Sequence, residues 1–344
     1  MKKLTLKTLL FLSPFIPLLI TYMVLDPFKV VKKYDVLLDS LSSKQVTLNK
    51  DYISTTVFDN NYRRERYNSF IFGNSRSIFY QVSEWKKYLE PNSSCFHFDA
   101  TGESIYGLHK KVKYIDSKNL EIRNALLILD YQILLRDKPY DDHLKIIAPQ
   151  LENNKNLLAF QLSFFKTFLL PKFFAPYIFF KATGKTNLFV KGNRLCTDML
   201  LVHHPITNEI RTNQSEELIE KGQYYNPEKM KEFYPRDTVQ TYSPACILEN
   251  QKRMLREIHA VFVKHQTNCK IVISPLYDQE KFNSRDLEYL KKLFGEKNVF
   301  DFSGINPITQ DYKNYYENSH YRPHVAKEIM AIIYNNKGNS QANQ

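Results

Sequence analysis

Residues 68–80, which read NSFIFGNSRSIFY, place a serine between an apolar strand pattern and a helical pattern. The strand is Phe70-Ile71-Phe72, Gly73 permits a tight turn, and Ser75 begins the helical pattern. At such a junction a serine hydroxyl can act as a nucleophile, and its backbone N–H can donate to an oxyanion. Serine is also a favoured helix N-cap, so this segment alone leaves a catalytic and a structural interpretation open.

A histidine and a carboxylate near the C-terminus supply what such a nucleophile needs. Residues 315–323 read YYENSHYRP, in which Glu317 precedes His320 by three positions. A serine nucleophile requires a base, and the base requires a partner that orients its ring and stabilises its charged form. Because this segment follows the last predicted strand, it should lie at the same sheet edge as Ser75. The pattern predicts a catalytic triad of Ser75, His320 and Glu317.

The elements that must position these residues alternate along the chain between apolar strands and helices. Such alternation is typical of a parallel sheet covered by helices on both faces, a three-layer α/β sandwich. The predicted strands span residues 70–72, 94–98, 125–129, 271–273 and 299–302, and the predicted helices span residues 76–89, 104–114, 244–265 and 323–334. A largely helical insertion, about residues 133–243, separates the third and fourth strands.

The insertion contains a very apolar stretch, LLAFQLSFFKTFLLPKFFAPYIFFK, at residues 157–181. Lys166, Pro171, Lys172 and Pro176 interrupt this stretch, which argues against a second membrane span. It is interpreted either as a buried helical hairpin or as an element that lies on a membrane surface or covers the substrate.

The N-terminus carries an uncharged and mostly apolar run over residues 8–25. The length of this run predicts a single transmembrane helix. Lys2, Lys3 and Lys7 precede it and favour a cytoplasmic N-terminus. The run ends without a small-residue cleavage motif, which favours an uncleaved anchor over a cleaved signal peptide.

The predicted organisation therefore places the bulk of the chain outside the cytoplasm, in the periplasm or extracellular space of a bacterial-type cell envelope. The domains are a membrane anchor at residues 1–30, a polar stalk at 31–66, the main α/β domain at 67–335 and a disordered tail at 336–344.

Composition limits the partners. The formal net charge of +12 favours anionic partners, such as phospholipid headgroups, acidic glycans or teichoic-type polymers. The basic residues are scattered and form no nucleic-acid motif, so no nucleic-acid partner is predicted. Neither a metal nor another cofactor is predicted, since the cysteines are too widely spaced for a zinc site. Buried thiols and disulfides remain alternatives for Cys95, Cys196, Cys246 and Cys269.

Three segments together resemble the sequence blocks of the SGNH (GDSL-like) hydrolase superfamily. They are Gly73-Asn74-Ser75-Arg76, the stretch FDATGESIYGL at residues 98–108, and Glu317-Asn318-Ser319-His320. The resemblance covers roughly residues 67–335. It implies a mainly parallel, flavodoxin-like sheet, a catalytic serine and histidine, and an oxyanion hole built from the N–H groups of Ser75 and Gly102.

Two positions depart from the family pattern. The acid is Glu317, where the family usually has an aspartate. The third block, which normally supplies an asparagine to the oxyanion, reads Leu129-Asp130-Tyr131-Gln132 here, and Gln132 is the remaining candidate for that donor. Arg76 is interpreted either as a ligand for an anionic substrate group or as a solvated residue in the first helical turn.

The combination of an N-terminal anchor with these blocks resembles the extracytoplasmic SGNH-like proteins of alginate acetylation and teichoic-acid D-alanylation. That resemblance implies an esterase or O-acyltransferase that acts on a cell-surface glycan or lipid-linked polymer. The alternative is a catalytically impaired accessory protein with the same fold, which binds an envelope polymer or a membrane-bound acyltransferase.

Overall fold

The computed structural model describes residue 13 and residues 15–38, 45–184, 196–197 and 201–335. The main strands are β1 Ser69–Gly73, β2 Cys95–Asp99, β3 Asn124–Leu129, β4 Asn268–Ile273 and β5 Val299–Asp301. They form one parallel sheet in the order β2-β1-β3-β4-β5. This is the strand order of flavodoxin-like sheets, and it confirms the predicted parallel α/β architecture.

Helices cover both faces of the sheet. The longer helices are α1 Phe15–Leu25, α2 Lys50–Glu65, α3 Ile105–Ser117, α4 Leu157–Phe168, α5 Pro171–Thr183, α6 Glu249–Lys264, α7 Ser284–Phe294 and α8 Pro323–Asn335. Side chains of β1 alternate between two cores, because Phe70 and Phe72 join one and Ile71 joins the other. Helices α2, α3, α6 and α7 pack in the first core and α8 packs in the second, which gives three layers.

Shorter elements connect these layers. The short helices are Ser75–Phe79, Val82–Trp85, Lys86–Tyr88, Tyr131–Leu135, Pro149–Glu152, Gln214–Glu220, Pro227–Met230, Glu296–Asn298, Pro307–Gln310 and Tyr312–Asn314. Three antiparallel strand pairs are Gln45–Val46 with Cys196–Thr197, Val202–His203 with Ile210–Arg211, and Tyr315–Glu317 with His320–Tyr321.

The helix predicted over residues 76–89 is broken at Tyr80–Gln81 into the turn Ser75–Phe79 and a second stretch of two contiguous turns, Val82–Trp85 and Lys86–Tyr88, so that prediction is wrong in its continuity. The first turn, Ser75–Phe79, is a 3₁₀ helix in which the Ser77 N–H donates to the Asn74 carbonyl at 2.9 Å. The chain then becomes extended at Gln81 before the next turn. The apolar spacing arises because Phe79 at the end of the first turn and Val82 and Trp85 in the next turn are all buried.

The predicted stalk, residues 31–66, is also corrected by the structure. Its second half is helix α2, which the Asn49 side chain caps by accepting from the Tyr52 N–H at 2.8 Å. Ile53 and Phe58 on this helix are buried in the first core. The polar appearance of the segment is misleading, because a few apolar side chains of this helix are enough to dock it in the first core, although polar side chains are buried beside them.

The predicted transmembrane helix is not confirmed. Among the described residues, no single helix has the length and apolar character that crossing a membrane requires. Helix α1 covers only part of the apolar run, and residues 1–12 lie outside the described chain. Helices α4 and α5 reach that length and apolar character only when they are taken together, and the chain bends by 74° where they meet.

Helix α1 packs against α4, and the segment just after α1 packs against α5, through aromatic rings. The Tyr22 ring lies 5.4 Å from the rings of both Phe165 and Phe168, and Phe28 lies 4.9 Å from Phe173. The insertion is thus part helical hairpin and part short strand pairs. Its hairpin buries one face in this aromatic cluster.

Three of the cysteines are buried free thiols, namely Cys95, Cys246 and Cys269. The side chain of Cys196 lies outside the described chain, as does the predicted tail at residues 336–344.

Candidate active site

Ser75 lies two residues beyond the carboxyl end of β1, at the point where the strand order reverses between β2 and β3. In sheets of this order, ligands bind in the crevice at that switch point. Gly73 allows the turn after β1 to pass close to β3, because a Cβ at this position would lie 2.8 Å from the Ile128 carbonyl oxygen of β3 and 2.7 Å from the Ser77 Cβ. The serine is half-buried and lines a cavity that is open to solvent.

The structure brings together all three members of the predicted triad. The Ser75 Oγ lies 2.8 Å from the His320 Nε2, although the two residues are 245 positions apart in the chain. The His320 Nδ1 forms a very short hydrogen bond with the Glu317 Oε1. The hairpin Tyr315–Glu317 and His320–Tyr321 holds the carboxylate and the imidazole within one turn.

The ring of His320 is oriented from several sides. The Glu317 Oε2 accepts from the Ser319 N–H at 2.7 Å, which fixes the carboxylate, and Phe79 packs edge-on to the imidazole with centroids 6.2 Å apart. An ionised carboxylate can only accept, so the Nδ1 of His320 must donate to it. In the neutral ring the Nε2 is then an acceptor for the Ser75 hydroxyl, as a general base requires.

Glu317 is ionised in this arrangement. Burial would raise the pKa of its carboxyl, but the hydrogen bond and charge of His320, together with the Ser319 N–H, hold the pKa below its ordinary value. A glutamate with these partners stabilises an imidazolium, the state that a general base enters when it takes a proton. The hydrogen bond to the His320 Nδ1 also shows that a glutamate at position 317, although longer than the aspartate usual in the related family, reaches the ring.

Replacing Glu317 by glutamine should remove a pH-dependent part of the free energy of unfolding. A carboxyl with a depressed folded pKa stabilises the fold above the ordinary glutamate pKa of about 4.3, and this stabilisation is lost as pH falls through the lower folded value. Thermal unfolding of the two proteins should differ most above about pH 5 and converge as the pH falls below the folded pKa of Glu317. The exposed Glu228→Gln is the matched control. A difference that is constant with pH would contradict an ionised, hydrogen-bonded Glu317.

Arg76 has a different environment from the one predicted. Its guanidinium is buried and forms an ion pair with Asp130, with the Nη1 2.7 Å from the Oδ2. Its Nε donates to the carbonyl oxygen of Ser319 at 2.9 Å. Arg76 thus ties the nucleophile turn to the segment that carries Glu317 and His320. These internal partners correct the predicted anion-binding role and make Arg76 a positioning residue.

The sequence indicates no structural role for Asp130, which belongs to the block where the related family supplies an amide donor. Besides Arg76, its carboxylate accepts from the Asn74 Nδ2 at 2.7 Å and from the Ile133 N–H at 3.0 Å. Asn74 in turn accepts from the Arg76 N–H at 3.0 Å. The available signal was the adjacency of β1 and β3, because an arginine and an aspartate just beyond neighbouring parallel strands meet at one edge.

The predicted oxyanion donors fall into two groups. Within the described chain, the N–H groups of Ser75 and Gly102 have no hydrogen-bond acceptor, so both are free to donate. Gly102 has a φ of +62°, a conformation that favours glycine, and the Lys145 side chain packs on it. Gln132 is exposed in the short helix Tyr131–Leu135 and lies outside the cavity that Ser75 lines. Gly102 is also outside that cavity, although its neighbour Thr101 lines it.

The arrangement meets the main requirements of nucleophilic acyl transfer: a hydroxyl, a base, a carboxylate that orients the base, and the free N–H of Ser75 itself as a backbone donor. Among the described residues there is no group of three or more histidine, cysteine, aspartate or glutamate side chains that could hold a metal ion. A scan of protein-family models and a search of curated proteins find no match to this chain.

Proposed function

We propose that this protein is a serine esterase or O-acyltransferase of the SGNH type, anchored to the cell envelope. The observation that carries the proposal is the 2.8 Å separation of the Ser75 Oγ and the His320 Nε2, with Glu317 on the other ring nitrogen. This geometry joins two segments from opposite ends of the domain. A surface histidine without a catalytic role would not be expected within hydrogen-bond distance of a serine at the switch point of the sheet.

The proposed reaction has two halves. The Ser75 Oγ attacks an ester carbonyl carbon while His320 takes the hydroxyl proton, and the resulting oxyanion accepts from the Ser75 and Gly102 N–H groups. Collapse of this intermediate breaks the bond to the alcohol, which leaves with the proton from His320. Water or a polymer hydroxyl then attacks the acyl-enzyme, and His320 accepts the proton of the attacking hydroxyl. When the second intermediate collapses, the acyl product departs and His320 returns the proton to the Ser75 Oγ.

A location at the membrane is supported by the outer surface of three helices that share one aromatic cluster. Each of α1, α4 and α5 exposes large apolar side chains, among them Leu19, Val24, Leu158, Leu162 and Phe179. Lysines interrupt this apolar sequence, as in elements that rest on anionic lipid. The full chain should stay in the membrane fraction after an alkaline carbonate wash, and release into the soluble fraction would contradict anchoring.

An anionic glycan or lipid-linked polymer is proposed as the acceptor. The net charge of +12 favours association with such a polymer, and anchoring holds the site close to the envelope surface. A membrane-bound acyltransferase that supplies the acyl group would be a compatible partner.

A second candidate is an accessory role without turnover, and the third block favours it. The third block reads Leu129-Asp130-Tyr131-Gln132, in which neither Asp130 nor Tyr131 is an amide donor, and the Asp130 carboxylate is engaged by Arg76 and Asn74. One lost oxyanion donor typically costs about 10²- to 10³-fold in rate. An accessory protein would bind the polymer or the acyltransferase through its surface and would not need Ser75.

Complementation distinguishes the two candidates. Cells that lack the protein would be supplied with the full chain or with its Ser75→Ala variant, and acyl groups released from the surface would be quantified. The enzyme proposal expects the variant to fail although it reaches the membrane at normal abundance. Full complementation by Ser75→Ala would overturn the enzyme proposal and favour the accessory role.

A further inference from the structure

A cavity of about 190 Å³ opens beside the nucleophile, and Ser75 is one of its lining residues. Its walls are mostly aliphatic. The aliphatic lining residues are Leu38, Val46, Leu48, Ile53, Ile78, Leu201 and Ile210. An aliphatic pocket that adjoins a nucleophilic hydroxyl is suited to the apolar part of an ester.

Most of this wall comes from outside the central sheet. Leu38, Val46 and Leu48 precede helix α2, and Leu201 and Ile210 belong to the insertion between β3 and β4. The segment predicted as a stalk and the insertion therefore meet over the catalytic edge. The pocket is a property of these two added segments rather than of the five-stranded sheet.

The two charged residues that line the pocket form an ion pair with each other. Lys50 and Asp99 both line it, and the Lys50 Nζ lies 3.3 Å from the Asp99 carboxylate and 3.1 Å from the Asn208 Oδ1. Asp99 also accepts from the Ser54 hydroxyl at 3.1 Å and from the Asn208 amide at 3.2 Å. A charged acyl group would have to displace one member of this buried pair, whereas an uncharged chain would not.

We propose that this cavity binds the acyl chain of the substrate, and that the chain is uncharged, aliphatic and longer than acetyl. The inference rests on the proposed function, because it assigns the acyl side of the same reaction. A dry apolar cavity of about 150 Å³ holds a molecule of benzene, so a cavity slightly larger holds about six carbon atoms. The acyl group of best fit is therefore near hexanoyl.

The first test compares p-nitrophenyl esters from acetyl to decanoyl, with the full chain in non-ionic detergent. Burial of each added methylene is expected to raise kcat/KM about fourfold until the cavity is full. The rise from acetyl to hexanoyl should reach roughly 10²-fold, with little further gain for longer chains once the cavity is full. A constant or falling kcat/KM from acetyl onward would overturn the acyl-pocket proposal.

Substitutions at Leu48 test the location of the pocket. Leu48 is half-buried, so the fold should tolerate changes there. Leu48→Trp should fill the cavity and reduce the hexanoyl-to-acetyl ratio of kcat/KM at least tenfold, whereas Leu48→Ala should shift the preferred ester by one or two carbons toward longer chains. Leu248 is 63% exposed and lies outside the cavity, so Leu248→Trp and Leu248→Ala are matched controls that should leave the ratio unchanged. An unchanged ratio in both Leu48 variants would contradict the proposal.

A binding measurement separates failure of the pocket from failure of the catalytic proposal. Saturation-transfer NMR on the Ser75→Ala protein should detect hexanamide but not acetamide, and Leu48→Trp added to that protein should abolish the signal. If the wild-type protein is inert toward every ester yet this binding pattern holds, the pocket stands and the enzyme proposal fails. If esters are cleaved without chain-length preference and hexanamide does not bind, the enzyme proposal stands and the pocket fails.

Discussion

Replacement of Ser75 by alanine is expected to lower kcat/KM for ester cleavage by a factor on the order of 10⁴ or more. The variant lacks the oxygen that forms the acyl-enzyme, so only the backbone donors and the binding pocket remain. His320→Ala should have a loss of similar size, because the hydroxyl is a weak nucleophile without its base. The measurement is steady-state p-nitrophenol release by purified full-length protein.

The double variant Ser75→Ala, His320→Ala should be no worse than either single one, because the residues of a triad act as a unit. Ser83 provides the matched control, since it is exposed and lies outside the cavity that Ser75 lines. Ser83→Ala should retain full activity. If Ser75→Ala keeps more than about a tenth of wild-type activity, another nucleophile is responsible and the account is wrong.

Disruption of the Arg76–Asp130 pair is expected to have the largest effect on stability. Removing one partner of a buried ion pair leaves the other charge uncompensated, so Arg76→Met and Asp130→Leu should each lower the free energy of unfolding by about 3 to 5 kcal/mol. The double variant should be less destabilised than the sum of the two, because no isolated charge remains. Denaturant unfolding of the four proteins measures this coupling.

Arg64 provides the control for this comparison of single and double variants. It pairs with Glu65 at 2.6 Å, but its side chain is 67% exposed, so Arg64→Met should cost at most about 1 kcal/mol. Equal effects of Arg64→Met and Arg76→Met would contradict a positioning role for the buried pair. A double variant that restores stability but not ester cleavage would show that Arg76 is needed to hold Ser319 and the loop of His320.

The sheet and the triad could be predicted from the sequence because their signals are local. Continuous apolar runs such as residues 125–129 mark buried parallel strands, and the carboxyl ends of such strands share one edge. Ser75 directly follows one of these strands, and Glu317 and His320 lie within one short turn. Topology then brings the two segments together without any knowledge of side-chain packing.

The parts that were missed depend on long-range packing. The segment before β1 is polar on average, and only its docking on the sheet reveals that Ile53 and Phe58 form a core-facing stripe. The partner of Arg76 was missed for a related reason. An arginine beside a nucleophile has the same sequence signature whether it faces a substrate anion or a buried aspartate, and Asp130 lies 54 positions away.

The acyl pocket likewise has no local signature. Its aliphatic residues come from four separate segments, each of which looks like ordinary core sequence. Only their convergence beside Ser75 indicates a function.

Covalent labelling of the full-length protein by a fluorophosphonate, mapped by peptide mass spectrometry, tests the central claim most directly. A serine activated by His320 and Glu317 should be modified once, at Ser75, and the label should be absent in His320→Ala. A folded protein that takes up no label, or carries it on another serine, would contradict the assignment of Ser75 as the nucleophile.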